Sequence, residues 1–357
     1  LRAGLQEEAL SVLRAFGALE RGGTLPNALN GADDANRDSS DAPLWFALAA
    51  QEAMDAFGDD CLQIPCGART LHEVLTSIAH GYLQGTTTGV RVDAVSGLVW
   101  SPAHFTWMDT NHPAGSPREG YPIELQALWI RLLRLLDRAS GASGSQAWRA
   151  VADRAEGSLE RYWLEDRGFA ADTLHAGPGV AAQRARPDDH LRPNQLWLVA
   201  LGLCQGERAR RVVQACGRHL LVPGALRSLA PLAVEVPLPI LGVGGRPLND
   251  PYRPYWGRYE GDEDTRRNTA YHNGTGWVWL LPLYAEALAA AWPGDATALA
   301  AAQAVLGSVA PLLETGCLGQ LPELVDGDAP HRPRGCDAQA WSVSEALRVW
   351  LKLNQNG

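Results

Sequence analysis

Apolar residues recur at helical spacing near residues 5–20, 43–57, 70–84, 123–139, 145–163, 194–205, 207–220, 277–292, 296–314 and 337–352, so the pattern predicts a helix in each. Gly/Pro/Asp-rich connections at 21–42, 85–121, 165–192, 221–275 and 316–336 alternate with short ones. In a compact domain, long connections without structure of their own are usually functional. If every second link is long, all the long links gather at one end of a helix bundle. The expectation is therefore an all-α toroid of helical hairpins with its site at one face. A β-branched piece within 229–244 is the one plausible extended segment, and it lies inside a connection.

Composition narrows the partners. The chain has 357 residues, 46% of them hydrophobic and 20% charged, which is enough to bury a large core as one big domain or two ordinary ones. A net charge of -9 and a pI near 5.5 argue against nucleic acid, whose phosphates need a basic face. No signal-peptide pattern is present, and no apolar run is expected to reach the roughly 20 residues of a membrane span. The opening "LRAGLQEEALSVLRAF" is helical in pattern, with no initiating Met and no cap before it, so residue 1 is expected to lie inside a longer parent protein.

The six cysteines form no C-x-x-C pair, which favours reduced thiols and a cytoplasmic address. Thirteen Trp against five Phe is an unusual preference for the ring that combines a broad flat face with an N–H donor. Sugar rings are objects that such a surface stacks on. Other chemistries lack their signals. The "GVGG" at 242–245 has neither the spacing nor the Lys of a phosphate loop, "HEVLT" (72–76) has no second His for a zinc helix, and there is no G-x-S-x-G elbow.

Four acids stand where loops meet helices. Asp41 precedes "APLWF", Asp109 follows "FTWM", Glu124 lies in "YPIELQALW", and Glu323 lies in "LPELVDGDAPHRPRGCDAQAWS". For Asp41 and Glu124 the plain alternative is helix capping, which a junction residue can combine with another task. For Asp109 and Glu323 it is a solvated loop charge. Each is nevertheless wedged among apolar neighbours, Trp107 and Met108 on one side and Leu321, Pro322 and Leu324 on the other. Such surroundings raise a carboxyl pKa or hold a carboxylate rigid. Two carboxyl groups are what glycosidic hydrolysis uses, one to protonate the leaving oxygen and one to activate water or attack carbon. These two are far apart in sequence, and only a closed toroid would bring them to one pocket. "HLRPNQLW" (190–197) adds Arg192, Asn194 and Gln195, and "YHNGTGWVW" (271–279) adds Tyr271, His272 and Asn273, groups suited to hydroxyl recognition and also to ordinary turns. His272 has no His or Cys partner at ligand spacing, so a hydrogen-bonding wall suits it better than a metal.

Taken together, "GTLPNAL", "DAPLWF", "TWMD…PREGYPIELQALW", "RPNQLW", "YHNGTGWVWLL" and "LPELVDGDAPHRPRGCDAQAWSVSEALR" resemble, in this order, the C-terminal glucosidase domain of glycogen debranching enzymes, the amylo-α-1,6-glucosidase family. The resemblance implies a single (α/α)6 toroid of glucoamylase-like, six-hairpin architecture over residues 1–357. It further implies inverting hydrolysis of α-1,6-linked glucose in a branched α-glucan such as glycogen or limit dextrin, with no cofactor and no metal. By the same resemblance, Asp109 is the general acid and Glu323 the general base. Asp41, Glu124, Gln195, Tyr271, His272 and Asn273 would hold the terminal glucose, with Trp45, Trp107, Trp277 and Trp341 as walls.

Two departures carry expectations. The family's "GRDT"-type helix would precede residue 1, so the toroid is expected to lack its first helix in this chain. Where bacterial relatives read "YHNGTVWPW", this chain has Gly276, which is expected to loosen that wall. The competing functions are another α-glucoside hydrolysis on the same fold, glucoamylase- or trehalase-like, and noncatalytic glucan binding.

Overall fold

The computed structural model describes residues 1–110 and 116–354, which divide into two compact units. The first comprises Leu1–Asp109, Arg118–Arg161 and Thr173–Pro187. Its helices are α1 (Gln6–Ala18), α2 (Ala42–Phe57), α3 (Leu71–Gln84), α4 (Ile123–Ala139) and α5 (Gly141–Ser158). Helix α4 is the centre of this unit, packing on α2, α3 and α5. Its Leu125, Leu128, Trp129, Leu132, Leu133 and Leu136 are all buried, and a helix apolar on so much of its circumference can only sit inside. Tyr82 of α3 stacks on Trp129, with centroids 5.7 Å apart. Thr70 starts α3 with a reciprocal capping box to Glu73.

The second unit comprises Thr110–Pro117, Tyr162–Asp172 and Asp188–Gly357. It holds α6 (Leu196–Ala200), α7 (Gly206–His219), α8 (Asn268–Tyr271), α9 (Leu280–Ala291), α10 (Ala296–Gly307) and α11 (Ala340–Asn354). Helix α9 plays the part that α4 plays in the first unit, packing on α6, α7, α10 and α11. A core of Val222, Ala225, Val278, Leu281, Val309, Leu321 and Val325 lies beneath it.

A helix is present in each of the ten predicted segments, most with boundaries displaced by a few residues; the one expected over 194–205 shortens to Leu196–Ala200, and the one over 296–314 ends as an α-helix at Gly307. The expected strand is not. Within 229–244 the chain carries Pro231, Pro237 and Pro239, which have no N–H to donate. It pairs irregularly instead, Val234 donating to the Tyr252 carbonyl and Leu238 to the Pro251 carbonyl. The actual strands are two or three residues long. Five of them, Leu221–Val222, Ala225–Arg227, Gly276–Trp277, Leu324–Val325 and Pro333–Arg334, form an antiparallel sheet in this order.

A second expectation also changes. The helical stretch Ala296–Glu314, 19 residues in which α10 runs on into a 3₁₀ turn, is long and apolar enough by length and composition to cross a membrane. Seven Ala, four Leu and two Val supply that character. One edge of the stretch, with Ala302 and Leu306, packs on Ala285, Val349 and Leu353.

Candidate active site

In the first unit, the entry to α2 assembles the acids. Ser39 and Asp41 precede the helix, and the Ser39 hydroxyl, not Asp41, accepts from the free N–H of Ala42 at 3.0 Å. The Asp41 carboxylate is thereby released from capping. Its Oδ1 accepts from the Ser39 hydroxyl at 2.8 Å and its Oδ2 from the Trp45 indole N–H at 3.4 Å. Burial raises the Asp41 carboxyl above its ordinary value of 3.8, although the bonds from Ser39 and Trp45 pull it back.

The loop carrying Trp107 and Asp109 is tied to the same helix end, since the Ser40 amide donates to the Phe105 carbonyl at 2.6 Å. Trp107 and Met108 are buried, whereas Asp109 keeps an exposed face. Desolvation by its neighbours raises the Asp109 carboxyl all the same, and the nearby Asp41 charge adds to the rise.

Glu124 is neither a cap nor exposed. It lies fully buried in the first turn of α4, and Arg118 grips it with two parallel bonds of 2.6 Å. Arg118 also donates to the Thr106 hydroxyl at 2.8 Å, beside Trp107. Its backbone sits in the left-handed region at φ 47°, which turns the chain sharply enough for the guanidinium to reach its partners. Sequence reasoning missed Arg118. The available signal was its position six residues ahead of an acid in the first turn of a helix too apolar to be exposed.

In the second unit, the sheet positions the other acid. Trp277 pairs with Leu324, and the Val278 amide donates to the Glu323 carbonyl at 3.3 Å, so Glu323 stands at the edge of the "YHNGTGWVW" segment. The Glu323 side chain is half-buried, with Oε1 accepting from the Tyr271 hydroxyl and Oε2 from the Cys336 amide at 2.9 Å. Tyr271 and Trp277 together centre an aromatic cluster. Tyr271 touches Trp277 edge-on at 4.9 Å, His272 at 4.7 Å and Tyr259 at 5.4 Å. His272 lies parallel to Trp277, with centroids 5.2 Å apart, and its Nδ1 meets the Thr110 hydroxyl at 3.1 Å. Trp341 completes the group, edge-on to Trp277 at 5.9 Å and stacked on Trp279 at 4.9 Å.

The amides from this region are turned inward. Asn273 accepts from Ser116 and Arg192 and donates to the Thr269 carbonyl at 3.0 Å. Gln195 accepts from the Ala170 amide at 2.9 Å and donates to the Arg192 carbonyl at 3.2 Å, so both ends of its side chain hold main chain. Arg192 is equally occupied, donating to the carbonyls of Ser228 and His272. Gly276 does not loosen the wall. A Cβ there would stand 3.0 to 3.1 Å from Val325, Ala225 and Val222, so the glycine is what lets the strands pack.

The structure therefore gathers Asp41, Trp45, Trp107 and Asp109, with Glu124 behind them on Arg118, in one unit. In the other it gathers Tyr271, His272, Trp277, Trp341 and Glu323. In the first unit the gathered acids include one whose carboxyl is raised by desolvation, and in the second a carboxylate is held by two donors; carboxyl groups so placed are the kind that acid/base chemistry uses.

Comparison with known proteins identifies the class. A mannosylglycerate hydrolase of family GH63 from Thermus thermophilus, solved with glucose, superposes with a TM-score of 0.63 at 17% identity, covering 98% of this chain and 89% of that one. A GH78 rhamnosidase from Bacillus sp. GL1 gives 0.55 at 15% identity, over 96% of this chain and 29% of that one. These likenesses show the fold, a helical (α/α)6 six-hairpin toroid. Periplasmic trehalases of Escherichia coli O8 and Salmonella paratyphi C are 27% and 29% identical over 146 residues, 39% of this chain. That match spans only 24% of each trehalase. Residues 1–236 and 240–348 match the family described as amylo-α-1,6-glucosidase; the chain belongs to that family and is a glycoside hydrolase by membership.

Proposed function

We propose that the chain is an inverting α-1,6-glucosidase that removes branch-point glucose from glycogen or a related α-glucan, with Asp109 as general acid and Glu323 as general base. Family membership across nearly the whole chain is the observation that carries this reading. The two carboxyl environments support the division of labour. Asp109 is biased towards its protonated form by desolvation and by Asp41, as a proton donor must be near neutral pH. Glu323 is oriented by Tyr271 and Cys336, as a base that aims a water must be. Trp45 and Trp341, which are half-buried, offer flat faces to the sugar, while the buried Trp107, Trp277, Glu124, His272, Gln195 and Asn273 support the walls from behind and Asp41 stands beside Asp109. Six free thiols support a cytoplasmic site of action.

A trehalase-like activity is the second reading, favoured by the 146-residue similarity to periplasmic trehalases. The deciding experiment offers limit dextrin, isomaltose and trehalose to the same preparation and follows early products by proton NMR. Glucose from limit dextrin, first seen as the β-anomer, is the expected result. An initial excess of α-glucose overturns inversion, and release from trehalose alone moves the substrate to the second reading. Asp109→Asn and Glu323→Gln are each expected to lose about 10²–10⁴ of the rate with binding retained.

A further inference from the structure

An open pocket of about 280 Å³ lies outside both residue clusters described above, lined by Tyr255, Trp256, Gly257, Arg258, Glu260, Arg266 and Asp328. All of these belong to the second unit. We propose that this pocket is an additional saccharide subsite, which takes a neutral glucose unit of the glucan chain beyond the bond that is cut. The proposal rests on the glucan-hydrolase reading above.

The first argument is the chemistry of the lining. Two arginines stand against two carboxylates, so the pocket carries no net charge and has no preference for an anion. Donors and acceptors beside indole and phenol faces are what a polyhydroxylated ring uses, with stacking on its apolar face and hydrogen bonds around its edge. The volume lies just below the usual range for small ligands, roughly 300–1,000 Å³, so it suits one ring and not a long ligand.

The second argument is which groups are already engaged. Tyr255 is fixed, its hydroxyl donating to Asp328 at 2.8 Å and Arg227 lying over its ring at 5.7 Å. A Cβ at Gly257 would overlap the Tyr255 hydroxyl and the Asp328 carboxylate, so glycine is what brings the main chain this close. Trp256 is half-buried, and among the described residues neither its indole N–H nor the Arg266 guanidinium has a hydrogen-bond partner. A rigid floor with two uncommitted donors above it is a preorganised binding surface.

The third argument is continuity with the candidate base. The Trp256 amide donates to the Asn273 carbonyl at 2.7 Å, and the Tyr259 amide to Asp326 at 2.9 Å. Tyr259 packs on Tyr271, which donates to Glu323. The pocket loop is thus stitched both to the "YHNGT" segment and to the turn that follows Glu323. A chain whose end is being cut at Glu323 has a second place to rest on the same scaffold.

The test uses the whole chain with two variants, Trp256→Ala and Arg266→Ala, and Trp350→Ala as an exposed tryptophan elsewhere. Arg266 is exposed, so its loss leaves folding intact even if Trp256→Ala does not fold. Maltotetraose binding, measured by calorimetry, is expected to weaken about ten-fold in Trp256→Ala, several-fold in Arg266→Ala and not in Trp350→Ala. In parallel, the ratio of kcat/KM on limit dextrin to that on α-glucosyl fluoride, which has no sugar beyond the cut bond, is expected to fall about ten-fold in Trp256→Ala. Equal loss on both substrates assigns the loop to support of the catalytic groups and overturns the subsite, as does unchanged maltotetraose binding in both variants. If the wild type cleaves neither substrate, the proposed activity fails, and the titration alone still decides the pocket.

Discussion

The Tyr271 hydroxyl donates to Oε1 of Glu323, so a ring packed against Tyr259, His272 and Trp277 also orients the candidate base. Two contacts fix the carboxylate, and the second is the Cys336 amide. Removing the tyrosine donor leaves the carboxylate free to rotate about that remaining bond. Tyr271→Phe is therefore expected to lower kcat about ten-fold, since a hydrogen bond to a charged group is worth roughly 1.5–3 kcal/mol. Steady-state kinetics on limit dextrin reads it. A wild-type kcat would mean that the phenol merely fills space.

Gly335 makes the other contact possible. Its φ is +68°, and an added Cβ would run into Oε2 of Glu323. Gly335→Ala is expected to displace the carboxylate and strain the turn together, the left-handed backbone alone costing about 1–2 kcal/mol. The expected outcome is loss of most turnover with a small drop in melting temperature. Full activity would show that Glu323 can shift without consequence.

Arg118 and Glu124 form a pair from which water is excluded on both sides, with side-chain exposures of 4% and 0%. Breaking such a pair leaves a buried carboxylate without its bidentate partner and costs about 3–5 kcal/mol. Arg118→Met is expected to destabilise the protein by that order in urea titration. The double variant Arg118→Met with Glu124→Leu, which leaves no charge behind, should recover part of the loss. If the single variant is as stable as the wild type, Glu124 has another partner or binds a proton.

How far the sequence can be read follows from the length scale of each feature. Helices α4 and α9 repeat their apolar pattern for several turns and are legible with no structure. Strands of two residues have no period to detect, so the sheet that carries Trp277 and holds Glu323 at its edge is invisible in the sequence, and the proline-bearing 229–244 piece takes its place. The acids are legible as types and their neighbours are not. Asp41 looks like a cap because Ser39, two residues earlier, takes that work only in three dimensions. Asp326 and Asp328 are alike on paper. Folded, Asp326 is buried on Arg334 at 3.0 Å and on the Tyr259 amide, while Asp328 faces the open pocket. Gln195 and Asn273 look like hydroxyl ligands, yet long-range bonds to Ala170, Ser116 and Arg192 engage them.

The pair Asp41 and Asp109 makes a prediction in pH. Burial raises the Asp109 carboxyl, and the charge on Asp41 raises it further. A general acid works only while protonated, so a raised pKa carries activity to higher pH. Asp41→Asn removes the charge, lowers the Asp109 pKa and moves the alkaline limb of the kcat/KM profile to lower pH, with the acid limb in place. Stability should respond in a related way. Asp41 is raised in the folded state from an ordinary value of 3.8, so the folded protein holds its proton more tightly than the unfolded chain. Its contribution to stability is complete below 3.8 and is lost as pH rises through the raised folded value. In Asp41→Asn that loss disappears, and the melting temperature should fall less between the two values than it does in the wild type. The two readouts separate the causes. An unmoved alkaline limb with a flattened stability profile would mean that Asp41 is desolvated as described but does not act on the proton donor. An unmoved limb with an unmoved profile would mean that Asp41 is neither desolvated as described nor acting on the proton donor.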